Sequence, residues 1–301
     1  MDKTIKRISV FHINGPEGLP EGGSPAENGV LSRTTEFHPE WGKPVCETQY
    51  DVHGQMEQKT DYVYDNKGFL IREVLIESDG EVVEERSFEP NERQGVKKEF
   101  RHYADGSHDV ADHFYDGAGR LVRKVISDDE GEVERIETLS YNGEKLVHEL
   151  AMDGRENILF EVRYTYNGEG LLEEVHTNNP EEGTAFQKVH EYNTDGKRTA
   201  TLVYDQDGEL IERYLFELNE QGHPSSVVEE TRTKKNALKM TYDAQGNVVY
   251  QEERDLAGEL VNRVERHYDG DGRLVESHVA FRNPMLGVIQ EYSVFQEYEF
   301  F

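Results

Sequence analysis

Along most of the chain, hydrophobic and charged residues interleave over runs of about 7–9 residues, as in LVRKVIS at 121–127. A period of two predicts strands, because successive side chains of a strand point to opposite faces. No window of about 11–18 residues carries a persuasive helical stripe. The runs end in turn signals. An aromatic followed by a turn recurs at Tyr64, Phe88, Tyr115, Tyr141, Tyr166, Tyr192, Phe216, Tyr242, Tyr268 and Tyr292, at intervals of 24 to 27 residues. The clearest copies read YDNKGFL (64–70), YDGAGRL (115–121), YNGEGLL (166–172), YDQDGEL (204–210), YDAQGNV (242–248) and YDGDGRL (268–274). Gly stands four residues after the Tyr and an aliphatic residue six after it.

The chemistry of one copy is that of a hairpin turn. Asp or Asn can bond its own backbone, and Gly supplies a positive φ without steric cost. A second turn falls between copies, at Asp79-Gly80, Asp105-Gly106, Glu130-Gly131, Asp153-Gly154 and Glu182-Gly183. The elementary unit is therefore one strand plus one turn, and the longer repeat is a pair of them. The expected fold is all-β: a long antiparallel β-meander or solenoid-like sheet of about 20 strands, coiled or twisted, with few or no helices. The ladder aromatics from Tyr64 to Tyr268 are expected to line one face, since alternate strands repeat every ~9.6 Å.

The ends differ from the middle. Residues 1–47 form a non-repeating N-terminal cap, with a flexible Gly/Pro-rich loop at 14–30. Residues 48–292 hold the repeat array. Residues 293–301 form an aromatic C-terminal cap or docking tail, and Tyr292, Phe295, Tyr298, Phe300 and Phe301 are its candidate partner-binding residues.

Composition narrows the classes of function. Lys and Arg number 33 against 62 Asp and Glu, a net charge of −29. The average field repels nucleic acids and anionic membranes, and the longest cationic runs are only Lys97-Lys98 and Lys234-Lys235. Hydrophobic residues make up 35% and mean hydropathy is −0.82, too low for a thick core. Sixteen tyrosines and 13 phenylalanines nevertheless argue for folding. Cys46 is the single cysteine, so no internal disulfide forms. No apolar run approaches the ~18 residues of a membrane helix. The N-terminus lacks a secretory pattern, and the expected location is cytoplasmic.

The Y-D-x-x-G-x-L copies resemble the YD repeats of the RHS family over about residues 48–292. In RHS and related toxin-complex proteins such repeats coil into a hollow shell around a toxin. This chain is far shorter and shows no self-cleaving segment followed by a toxin domain. The resemblance is to stand-alone, short YD-repeat proteins. The turn pattern is more loosely similar to MORN-type hairpin repeats.

Candidate chemistry is sparse. His102, His108, Asp109, Asp112 and His113 form the densest group of metal-ligand types. A two-residue turn at Asp105-Gly106 would set His102 opposite Asp109, with His108 and Asp112 on one face. Asp205 to Gly208 and Asp269 to Gly272 resemble the start of Ca²⁺ loops, but no downstream Glu completes them. No H-E-x-x-H, G-x-S-x-G, phosphate-binding loop or dinucleotide fingerprint occurs. No enzymatic activity and no cofactor is expected. The functional expectation is a non-enzymatic protein-interaction module. Its acidic surface would bind a basic protein partner in an immunity, antitoxin or scaffold role. The alternatives are carbohydrate or surface binding through exposed tyrosine rows, and an RHS-like shell component.

Overall fold

The computed structural model describes residues 4–15, 18–20 and 22–301. Among these, 22 strands and one short helix form. The first strands are β1 Ile5–Asn14, β2 Val30–Phe37, β3 Pro44–Tyr50, β4 Met56–Tyr64, β5 Leu70–Glu77 and β6 Val82–Pro90. There follow β7 Val96–His102, β8 His108–Tyr115, β9 Leu121–Ser127, β10 Val133–Asn142, β11 Lys145–Asp153 and β12 Ile158–Tyr166. Next come β13 Leu172–Asn179, β14 Thr184–Tyr192, β15 Arg198–Asp205, β16 Leu210–Leu218 and β17 Pro224–Thr231. The last are β18 Lys235–Tyr242, β19 Val248–Arg254, β20 Leu260–Tyr268, β21 Leu274–Arg282 and β22 Ile289–Phe300. The helix α1 spans Pro25–Asn28 behind the N-cap Ser24.

The chain divides into two compact units, one of residues 1–85 and 236–301, the other of residues 86–235. In the first unit the pairing runs β18-β19-β20-β21-β22-β1-β2-β3-β4-β5, antiparallel throughout. In the second it runs from β7 to β17 in chain order.

The all-β antiparallel content follows from the alternation and the turns. The solenoid does not. All 22 strands belong to one sheet, and β1 pairs with β22 on one side and β2 on the other. Ile8 lies opposite Tyr298 and Ser9 opposite Glu297. The first and last strands of the chain are thus joined to each other, and neither is left as a free edge. The expected solenoid-like array and the RHS-type open coil that the repeats suggested are both corrected by this pairing. The physical reason is the edge problem. Unpaired N–H and C=O groups at two sheet ends can be capped or joined to each other, and this chain joins them.

The repeat itself has a specific origin. Tyr166 ends β12, and its hydroxyl donates to the carbonyl of Leu146 on β11, at 2.9 Å. Tyr192 does the same to Leu172 (2.6 Å), Tyr141 to Leu121 (3.1 Å) and Tyr268 to Val248 (3.2 Å). The acceptors Leu121, Leu172 and Val248 are the aliphatic residues of the preceding copies. Each repeat is thus one hairpin, latched at its open end by the next tyrosine. In β22 the latch falls on Tyr298, which donates to Leu274 at 2.9 Å. Tyr292 stacks on His12 instead, with ring centroids 5.7 Å apart.

The interior is thin. The chain exposes 18668 Å², against about 13,000 Å² for a compact monomer of this mass. The buried apolar positions are mostly small: Ala280 (0% exposed), Ala151 and Ala200 (3% each). The first unit has one thicker spot, where residues near α1 pack on the sheet. Phe11, Ser293 and Phe295 are buried there, and Gly29 and Gly18 approach Phe11 and Ser293. The segment expected as a flexible loop, 14–30, thus carries a capped helical turn against β1. Its residues 16, 17 and 21 lie outside the described residues.

Candidate functional site

Two kinds of turn alternate along each unit, and they differ in charge. Turns after even-numbered strands follow the ladder tyrosines, and turns after odd-numbered strands lie at the opposite end. The backbone is the same at both. After β8, the Asp116 N–H donates to the Arg120 carbonyl (2.9 Å) and the Gly119 N–H to the Asp116 carbonyl (3.0 Å). After β9, Asp128 and Glu132 bond at 3.0 Å, and Gly131 and Asp128 at 3.1 Å. In both turns Asp Oδ1 accepts the N–H of the fifth residue.

The side chains diverge. At the tyrosine end the fifth residue is a cation at Arg120, Lys197 and Arg273. Arg120 Nε donates to Asp116 Oδ2 (2.8 Å), and its guanidinium lies 4.5 Å from the Tyr141 ring centroid. Arg273 repeats this with Asp269 and Tyr298, and Lys145 lies over Tyr166. Backbone N–H donors and Arg120 hold the Asp116 carboxyl below its usual range, and the same two causes act on Asp269.

At the opposite end of the second unit the fifth residue is acidic in the turns after β9 and β15, at Glu132 and Glu209. Asp128, Asp129, Glu130 and Glu132 share one turn, Glu181 and Glu182 the next but one, and Asp205, Asp207 and Glu209 the one after. Among the described residues, Asp129, Glu130, Glu132, Glu181 and Glu182 have no cationic partner. Arg232 meets Glu209, and Lys234 meets Glu229. Turns at one end lie ~10 Å apart, close to the Debye length at physiological salt, so their fields overlap.

The two sheet faces are mixed. On the tyrosine face of the second unit, Glu149 lies opposite Leu139 and Val162, and Lys124 opposite Glu137. On the other face, Arg213 binds Glu230 (2.7 Å) and Arg163 binds Glu161 (2.7 Å). In the first unit, Arg33 and Glu47 fall on one face and Lys59, Asp61 and Arg263 on the other. Among the described residues no helix is long and apolar enough to cross a membrane.

The predicted site residues separate. The turn before β8 is wider than expected. Tyr103 N–H donates to the Ser107 carbonyl, and Gly106 has φ 90°. The register therefore shifts by one: His102 faces His108, and Asp109 faces Arg101. The two imidazoles lie 5.9 Å apart beside Phe100. His108 and Asp112 share a face, but Asp112 binds Lys98 (3.1 Å). Asp109 accepts from Tyr103 on the other face. His113, also on that other face, meets the Ala111 carbonyl, and burial lowers its pKa. Among the described residues, no group of three His, Cys, Asp or Glu side chains could hold a metal ion.

The aromatic tail is a strand. Phe295 is buried, Tyr298 is latched, Phe300 lies by Arg273, and Phe301 is exposed beyond the last pair. The ladder residues Tyr64, Tyr115, Tyr141, Tyr166, Tyr192 and Tyr268 all bond a neighbouring strand's backbone. Tyr242 contacts Met240, and Phe88 and Phe216 have no hydroxyl to offer. The end-to-end difference in turn charge went unnoticed in the sequence. Its signal was the residue after some of the turn glycines: Arg120, Lys197 and Arg273 against Glu132, Glu209 and Glu259.

No family model matches the chain, and no curated protein matches it. No family model supports the RHS resemblance. Among solved structures, a porin-like protein from Bacteroides uniformis is similar at 11% identity and a TM-score of 0.29, covering 99% of this chain and 98% of that one. A porin-like protein from Bacteroides vulgatus is similar at 9% identity and a TM-score of 0.24, covering 99% of both chains. At these TM-scores neither likeness bears on what the chain does.

Proposed function

We propose that this chain is a non-enzymatic binding protein whose acidic turns receive a basic protein partner. The observation that carries the reading is the segregation of charge in the second unit. Turns at one end carry Asp128, Asp129, Glu130 and Glu132, then Glu181 and Glu182, then Asp205, Asp207 and Glu209, whereas turns at the tyrosine end interleave Glu92, Asp116, Glu144, Glu169, Asp195 and Glu220 with Arg93, Arg120, Lys145 and Lys197. Such a field steers a cationic surface onto that end.

The chain works in water on this reading. An Arg or Lys at the middle of a lipid-facing strand costs about 2–4 kcal/mol, and an Asp or Glu somewhat less. Glu149 and Lys124 on one face, and Arg213 and Glu230 on the other, leave neither face free of such charges. A cytoplasmic setting accords with this.

The test is titration with an oligolysine peptide at low and high salt. We expect affinity to fall steeply with salt. The triple substitution D129K/E130K/E132K should weaken binding by about tenfold or more, which is 1.4 kcal/mol. Reversing Glu92, Glu169 and Glu220 at the tyrosine end should change it far less. Equal effects from the two sets would remove the assignment.

A further inference from the structure

A cleft of about 330 Å³ lies in the second unit beside the Asp205 turn, on the sheet face opposite the tyrosine ladder. Its size is at the small end of ligand sites, about 300–1,000 Å³. Its floor is a row of cross-strand partners: Arg163 on β12 faces His176 on β13, which faces Gln187 on β14. Glu161 and Asn178, also paired directly, form a second row beside it.

The charges here are internally satisfied. His148 Nε2 and Arg163 Nη2 both meet Glu161 Oε1, at 2.8 and 2.7 Å, and His176 Nε2 meets Glu174 at 3.1 Å. That leaves Glu161 Oε2 without a protein partner. The Asn178 and Gln187 amides also have none among the described residues. Asp205 Oδ1 is taken by the N–H groups of Asp207 and Glu209.

The donor set selects by elimination. An anion finds each cation already neutralised by a carboxylate. A metal ion would sit beside a guanidinium. An apolar ligand would leave the amides unsatisfied. Hydroxyl groups both donate and accept, and so match carboxylate, amide and guanidinium together. We propose that this cleft binds a neutral polyhydroxylated ligand of one or two hexose rings. The proposal is independent of the basic-partner reading.

The test titrates the full chain with maltose, cellobiose, lactose and N,N′-diacetylchitobiose by calorimetry and saturation-transfer NMR. At least one should bind with a Kd of about 1 mM or tighter. Gln187→Leu and Asn178→Leu should each weaken it by about tenfold, while Gln245→Leu in the other unit should not. Circular dichroism and Tm of each variant should match the parent. Absence of binding by all four sugars at about 20 mM overturns the proposal. So does binding that the two variants leave unchanged, or that inorganic phosphate displaces.

Discussion

The turns on either side of β9 use one backbone for two purposes. The Asp116 turn folds back on itself through Arg120, which pairs with the turn's aspartate and covers Tyr141. The Asp128 turn makes the same backbone bonds but ends in Glu132, which has no cationic partner among the described residues. Hairpin geometry is satisfied in both by Asp and Gly alone. The fifth residue is therefore free to serve something else: latching at the tyrosine end, and presenting charge at the other. A fold that repeats one turn can thus place different side-chain chemistry at its two ends without changing its backbone.

The largest expected contrast is at the turn glycines. Gly68 has φ 78° and Gly131 has φ 84°, so valine is strained at either, by about 1–3 kcal/mol. A Cβ at Gly68 would also stand 3.0 Å from Trp41, which stacks on His38, whereas Gly131 has nothing within 4 Å. Gly68→Val should therefore lower the urea midpoint more than Gly131→Val. Equal losses would show that the tyrosine end carries no extra packing.

A smaller effect is expected from the latch. Tyr166→Phe keeps the ring under Lys145 but removes the bond to Leu146, at a cost of about 0.5–1.5 kcal/mol. Phe216, already without a hydroxyl, supplies the contrast: Phe216→Tyr should not destabilise if a carbonyl waits in the same place. A Tyr166→Phe protein as stable as the parent in urea would reduce the latch to packing.

The smallest expected effect is pH-dependent. The folded-state pKa of Asp116 is lowered, first by the Arg120 N–H and then by its side chain. A lowered carboxyl contributes stability that is present above the unfolded value near 3.8 and is lost as pH falls through the folded value. Asp116→Asn keeps the turn's acceptor oxygen. It should remove that contribution at neutral pH and so flatten the acid limb, with little difference from the parent at pH values below the folded one. An unchanged acid limb would mean that other carboxylates set it.

Much of this could be read before any coordinates. The strand alternation of LVRKVIS and the Y-D-x-x-G-x-L turns specify β9 and the hairpins around it, because both signals act over a few residues. The site was less legible. His102 and His108 were assigned to the wrong register because a five-residue turn with a positive-φ glycine replaces the two-residue one, and a slip of one residue reverses every partner. Tyr292 looked like a ladder copy by spacing. The latch is at Tyr298 because β22 runs 12 residues.

By itself, then, the chain determined its turns, its strands and the partner across each hairpin. These depend on neighbours within about 26 residues, and a latch between Tyr192 and Leu172 spans only 20. Whether the array stays open was decided at the tertiary level. Ile8 must find Tyr298 from the far end of the chain, and nothing in a local repeat encodes how far the accumulated sheet twist carries its ends.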